Sequence, residues 1–337
     1  MKDLEAGSIC DTVANDSMGI RISVKAPERS AHMGATMLHW GVVRFKKLRI
    51  LLSSLAANHK IILEILITRR LTCVRWEILR QPGIISFLAV PFLASSWVPS
   101  TRLTRIVNHC LLVQRLGWPF LCVSGRRNEI CALSEALNGY ALAIETPRAM
   151  LREGLLTLAL LKNGVRIYAL SFIYADTSEG IAAYVGAVQG NSDSNSAEIY
   201  RSFTKSAFGV RPRDFIVEAF RIVCCNIGVY TILGVSAENR HQKNEYFRIG
   251  DKDYDKVKMN YNELWMERGG ALTADGFFRL SAGAKLRSPL TIPARKRALY
   301  RRRNEMWAEI DMLIAKRLGG SWNARHRYQA VDEVGVA

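Results

Sequence analysis

Nowhere do the 337 residues contain an uninterrupted run of about 20 apolar side chains, the length a spanning helix needs. The greasiest stretch, Ile84 to Val98, is about 15 residues and carries Pro91 in its middle; it is expected to be a core segment, with in-plane membrane contact beside the basic 44–80 segment as the alternative. The start, Met1-Lys2-Asp3-Leu4-Glu5, lacks an apolar signal region, so no secretory signal is expected. Seven cysteines include no C-x-x-C pair and no zinc-type spacing, which predicts reduced thiols in a reducing compartment and no metal site. G-x-S-x-G, H-E-x-x-H, Walker A and G-x-G-x-x-G are all missing, so no complete catalytic signature is in view.

What is present is a globular composition, 49% hydrophobic and 23% charged, which excludes disorder for the bulk of the chain. Forty-seven basic residues against 30 acidic ones give a net charge of +17. Residues 44–80 carry a net +7 and residues 285–327 a net +9, leaving the middle almost neutral. Charge focused in this way suits anionic partners, an anionic membrane surface or an acidic protein; solvated helix faces that only confer solubility are an equal alternative. The run Arg301-Arg302-Arg303 has no nucleic-acid recognition module beside it, so nucleic acid is disfavoured. The expected location is cytoplasmic, peripheral at the inner membrane.

Patterning divides the chain into a weakly ordered leader (1–40), a helical N-terminal region (41–150), an α+β core ending in a basic helix (151–318) and a loose tail (319–337). Leu155–Leu161 and Val165–Ala175 read as strands joined by Lys162-Asn163-Gly164, and Asn-Gly between apolar runs signals a hairpin because both residues tolerate positive φ. Ile181–Gln189 makes a third strand. Asn195 is placed to cap a helix ending near Phe208, with Glu198 three residues on. A second helix follows Pro212, with Ile216, Phe220, Val223 and Ile227 as its stripe, and Tyr230–Val235 reads as a buried strand. Residues 293–318 form a long basic helix with Leu299, Met306, Ile310, Leu313 and Ile314 inward.

Several motifs stand in a fixed order: Glu153-Gly154-Leu155-Leu156-Thr157-Leu158, Ser171-Phe172, Gly186-Ala187-Val188-Gln189-Gly190, Thr204-Lys205, Phe208-Gly209-Val210-Arg211-Pro212, Leu233-Gly234-Val235-Ser236, Tyr261-Asn262-Glu263-Leu264-Trp265, Gly276-Phe277-Phe278-Arg279-Leu280 and Lys296 through Arg303. With them, over residues 105–315, the chain resembles the VirK/YbjX family of bacterial domains of unknown function. It departs from the family at Cys110, Phe208, Asn262 and Ser281, where Tyr, His, Asp and Pro are usual. The resemblance implies an accessory role linked to virulence, envelope integrity, surface-protein localisation and antimicrobial-peptide tolerance, with no catalytic residue to carry over.

The strand–strand–strand–helix–strand order also resembles the acyl-CoA N-acyltransferase (GNAT) fold, which implies acyl-CoA as cofactor under an acyltransferase reading. In that fold a glycine-rich turn cradles pyrophosphate. Here Gln189-Gly190-Asn191-Ser192-Asp193-Ser194 supplies polar donors without the usual glycine spacing. Gln189, Lys205, Arg211 and Arg213 are the candidate anion-binding set, since Arg and a helix N-terminus both suit phosphate or carboxylate. The structural alternative leaves Lys205 solvated and ties Arg211 to a carbonyl. His241 is the candidate general base, against a solvated loop histidine, and His109 is expected to be a hydrogen-bonded structural histidine. Tyr261, Trp265, Phe277 and Phe278 are candidate pocket aromatics, against a place in the core.

Overall fold

Eight strands form one mixed sheet: Arg127–Ala132 (β1), Tyr140–Glu145 (β2), Leu156–Lys162 (β3), Val165–Thr177 (β4), Gly180–Gly190 (β5), Thr231–Val235 (β6), Ala271–Leu272 (β7) and Phe277–Ser281 (β8). Their spatial order is β1-β2-β3-β4-β5-β6-β8-β7. This computed structural model describes residues 31–121, 126–133, 135–146, 150–191, 193–248, 259–283 and 292–318; the expected tail 319–337 and most of the leader lie outside them. The nine helices of the described residues are Ala31–Ala57 (α1), His59–Ile67 (α2), Thr72–Arg80 (α3), Pro99–Leu116 (α4), Ser196–Ser206 (α5), Pro212–Asn226 (α6), Glu245–Arg248 (α7), Tyr261–Met266 (α8) and Arg297–Leu318 (α9).

The first five strands are an antiparallel meander. Asn163 and Gly164 take φ of 48° and 76°, the left-handed pair that lets β3 return as β4 through a two-residue turn. Strand β6 joins parallel to β5, from Ala182↔Thr231 to Val185↔Gly234, and β8 closes antiparallel on β6. A parallel neighbour needs a crossover, and α5 with α6 supplies it. The α+β class is thus as the patterning predicts, with a mixed sheet and flanking helices.

Helix α6 is apolar over most of its surface because it packs on β3, β4 and β5 and is itself covered by α9. Phe172 of β4 meets Phe220 of α6 at 4.6 Å between ring centroids, and Phe215 of α6 meets Trp307 of α9 at 4.8 Å. Helix α4 lies against β4. The stretch 84–98 is core: Phe87, Leu88, Phe92, Leu93 and Trp97 are all buried. Arg102, 5% exposed, holds this stretch to α4 by donating to the carbonyls of Trp97 (2.8 Å), Phe87 and Val90 (3.2 Å each). Burial brings its pKa down to about 10, which leaves it charged.

Several local expectations need correction. Residues 127–145 fall in the region expected to be helical, yet they are β1 and β2. Tyr140-Ala-Leu-Ala-Ile-Glu is rich in helix formers, and six cross-strand pairs with β3 override that propensity. Residues 31–40, expected to be leader, belong to α1. Asn195 precedes α5 without a side-chain cap bond; its Oδ1 accepts instead from Ser194 at 3.4 Å. Leu299, expected inward on α9, is exposed, while Met306, Ile310 and Ile314 are buried as the stripe predicts.

Two glycines explain a family motif. A Cβ on Gly186 would sit 2.1 Å from the Glu153 carbonyl oxygen, and one on Gly154 would sit 2.4 Å from the Phe172 amide nitrogen. The backbone of 153–154 therefore lies directly on the sheet. Gly186 is the extra residue of a bulge, since Ser171 pairs with Ala187 and Phe172 with Val185.

Candidate functional site

Helix α5 presents Arg201, Thr204 and Lys205 on one stretch of its surface, because residues three and four apart share a helix face. The helix ends in a tight reversal. Phe208 and Gly209 take φ of 51° and 82°, and the Gly209 amide donates to the Thr204 carbonyl at 2.7 Å, a Schellman closure. Arg211 is then extended, φ −73° and ψ 151°, as a residue before proline must be. Pro212 opens α6. This geometry carries Arg211 and Arg213 back toward Lys205.

Arg201, Lys205, Arg211 and Arg213 all line one open cleft of about 700 Å³, with Tyr168 and Tyr200 as its aromatic wall. The two tyrosines meet edge to face at 5.8 Å. The hydroxyl of Tyr200 lies 2.9 Å from the Asn191 carbonyl and 3.1 Å from that of Ile167. Arg213 is engaged: its Nη2 donates to Glu267 at 3.0 Å and its Nε to Asp214 at 3.1 Å. Among the described residues, Arg201, Lys205 and Arg211 make no ion pair and no side-chain hydrogen bond. Three of the four expected anion-binding residues thus share the cleft. Gln189 does not line it; it sits half-buried in β5, paired with Ala169. Arg201 and the two tyrosines were not among the expected residues, although the i,i+4 spacing of Arg201 and Lys205 on a helix is readable from sequence.

The basic run on α9 splits by role. Arg301 and Arg302 are exposed, whereas Arg303 is half-buried and its Nε donates to the Phe208 carbonyl at 2.5 Å. Its guanidinium also lies 2.7 Å from where a Cβ on Gly209 would stand, so α9 braces the reversal that shapes the cleft.

The remaining candidates lie elsewhere. Tyr261, Trp265, Phe277 and Phe278 are buried in the main core and line neither this cleft nor the cavity between α3 and α4. His241 is 3% exposed, not solvated. Burial, with Arg240 and Arg152 nearby, takes its pKa down to about 3. Its Nε2 is 3.8 Å from Glu153, whose carboxyl burial pushes up to about 7. His109 accepts the Tyr174 amide hydrogen on Nδ1 at 3.0 Å and borders a second cavity of about 460 Å³ between α3 and α4, with Cys110, Glu77 and Phe120. Burial holds that histidine neutral, its pKa near 3, and pushes the Cys110 thiol and the Glu77 carboxyl up.

Comparison with known proteins places this α+β chain in a group without an assigned activity. The profile of a family described as protein of unknown function (DUF535) matches residues 49–316, and the chain belongs to that family. It is 26% identical over 253 residues to the uncharacterized protein YbjX of Escherichia coli K12, covering 72% of this chain and 74% of the relative, so the VirK/YbjX resemblance is borne out. An uncharacterized protein of Haemophilus influenzae Rd is 24% identical over 221 residues, 64% of this chain and 70% of its own. No solved structure matches the chain.

Proposed function

We propose that this protein is an accessory protein that binds a phosphate- or carboxylate-bearing ligand in the α5–α6 cleft, within the envelope-related role the family resemblance implies. The convergence of Arg201, Lys205 and Arg211 on one cleft, without an acidic partner among the described residues, carries this reading. Like charges gathered in a cleft repel one another, and a bound anion relieves that cost while gaining charge-assisted hydrogen bonds. Exposed Arg301 and Arg302 on α9 add to the positive field.

Calorimetric titration with inorganic pyrophosphate at low salt tests it. Binding should weaken at least tenfold in Lys205→Ala and in Arg211→Ala, and much less in Arg213→Ala, whose guanidinium is already paired. A heat-silent titration, or affinity unchanged in the first two variants, overturns the reading.

A second reading, a GNAT-like acyltransferase using acyl-CoA, draws support from the strand order and from the parallel β5–β6 pair. Two features weigh against a cofactor there. Asp193 and Glu198 flank the start of α5, which repels a pyrophosphate. A Cβ on Gly190 would lie 2.4 Å from the Tyr200 hydroxyl and 2.6 Å from the Tyr168 ring, so these side chains pack on that glycine and leave no cradle. Titration with acetyl-CoA and longer acyl-CoAs beside inorganic pyrophosphate separates the readings: acyl-CoA bound at least tenfold more tightly than pyrophosphate favours the transferase, and equal affinity favours a simple anion site.

A further inference from the structure

Nine of the nineteen exposed large hydrophobic side chains among the described residues fall between Phe45 and Ile85, a small part of the chain. Each helix of this region buries one face and shows a second apolar one. On α1, Lys47, Ile50, Leu51, Ser54 and Leu55 turn inward to varying degrees, while Phe45, Leu48 and Leu52, 66%, 50% and 56% exposed, follow one another at i, i+3 and i+7 on the outside. On α2, Ile65 is buried, and Leu63, Leu66 and Ile67 face out. On α3, Val74 is buried, and Trp76 and Leu79 face out. The first face explains why these helices pack on the body. The second has no partner among the described residues.

Charge says what suits it. Arg44, Lys46, Arg49, Lys60, Arg69, Arg70 and Arg80 are exposed, against Glu64 as the one exposed acid of residues 44–80. The cations alternate with the apolar residues along the helices. A protein–protein interface core is depleted of lysine and of charge in general. A bilayer surface asks for the pattern seen here: apolar side chains reaching the acyl boundary, long cationic ones extending to headgroup phosphates, and an indole at the interface. The segment Arg44–Ala57 and helix α2 meet at a bend of 67°, so the pair is not one straight span; it suits lying in the plane.

We infer that α1, α2 and α3 form an in-plane docking surface for an anionic phospholipid bilayer. This surface is separate from the α5–α6 cleft and does not depend on that cleft binding a ligand.

The test uses the full chain and vesicles of pure phosphatidylcholine or of phosphatidylcholine with about a third phosphatidylglycerol, read by flotation. The chain should bind the anionic vesicles at least tenfold more tightly than the neutral ones, with affinity falling as salt rises. The double variant Leu48→Glu/Leu66→Glu changes exposed positions only, and circular dichroism checks its fold; it should lose at least tenfold in affinity. Brominated acyl chains should quench the parent more than Trp76→Phe, which places the indole in the lipid. Lys205→Glu/Arg211→Glu should leave most of the vesicle binding intact, so failure here and failure of the cleft reading are told apart. Absence of binding to anionic vesicles at low salt overturns the inference, as does binding unchanged in the double variant. A concentration-dependent dimer that the double variant abolishes, without vesicle binding, assigns the surface to a second copy of the chain and overturns it too.

Discussion

The phenol oxygen of Tyr261 accepts the amide hydrogen of Val188 at 3.1 Å, in the buried interior. Strand β5 pairs with β6 only as far as Val185, so Val188 lies on a stretch of β5 that β6 has already left. A buried amide without a partner costs about 1–3 kcal/mol, and α8 supplies that partner from Tyr261 at its first position. Tyr261→Phe keeps the ring and removes the acceptor. It should lower unfolding stability by about that amount, seen in urea titration as a lower midpoint with an unchanged slope. An unchanged midpoint would mean that the Val188 amide is satisfied elsewhere.

Trp265 makes the neighbouring closure. Its Nε1 donates to the Val235 carbonyl at 2.9 Å, and a Cβ on Gly234 would stand 2.3 Å from the indole. Backbone and a fully buried indole meet with no slack. Gly234→Ala should therefore destabilise by more than about 1 kcal/mol through overpacking, and the double variant Gly234→Ala/Trp265→Leu should recover part of the loss from that clash. Thermal unfolding of the four proteins of this cycle gives the coupling directly.

How much of this was legible in the sequence follows from what each element depends on. The β3–β4 hairpin was legible because Asn163-Gly164 fixes its turn locally, and the α6 stripe because a period of 3.6 runs its full length. Strands β1 and β2 were not, since Tyr140–Glu145 becomes a strand only by pairing with β3, at a range that composition does not encode. In the cleft, the cation types pointed to an anion, yet the convergence of Lys205 with Arg211 depends on left-handed Phe208, a non-glycine residue that sequence would not nominate. The aromatics Tyr261 and Trp265 were candidates for a pocket, although their spacing is more often that of a core, where they lie; only the fork between β5 and β6 shows why a tyrosine and a tryptophan, each with a polar handle, stand there. His241 looked like a solvated loop residue because its neighbours in sequence are polar, whereas in the fold it is buried, with the Glu153 carboxylate, far away in the chain, 3.8 Å from its Nε2.

That burial sets a pH dependence. Glu153 titrates at an ordinary 4.5 in the unfolded chain and at about 7 when folded, the shift arising from its removal from water. The native protein keeps a proton that the unfolded chain releases across that window, so this group's contribution is full below pH 4.5 and is lost as pH rises to about 7. His241 acts in the opposite direction, as its pKa falls from 6.5 to about 3 on folding, and its contribution is lost as pH falls below 6.5. His109 behaves as His241 does. The difference between Glu153→Gln and the parent isolates the carboxyl. It should widen in favour of the variant from pH 4.5 to about 7 and stay constant outside that range, reaching up to about 3 kcal/mol. Urea midpoints measured at half-unit pH intervals read it, and a parallel pair of curves would show that Glu153 titrates normally in the fold.

Arg303 offers the most direct link between stability and the cleft. Its Nε donates to the Phe208 carbonyl, and Phe208 is the left-handed residue on which the α5–α6 reversal turns. A left-handed conformation costs a residue with a Cβ roughly 1–2 kcal/mol, so the reversal persists because bonds around it outweigh that cost, and the bond from Arg303 reaches it from another helix. Arg303→Ala should destabilise the fold by about 1–3 kcal/mol, the range for a charged hydrogen bond to a half-buried carbonyl. It should also weaken pyrophosphate binding several-fold although Arg303 is not itself counted among the cleft-lining cations, because Arg211 is then held less firmly toward Lys205. Arg303→Lys keeps the charge but not the planar donor, so it separates geometry from field. If the lysine variant binds as the parent does, the residue acts through its charge; if it binds as the alanine variant does, the brace on Phe208 is what shapes the cleft.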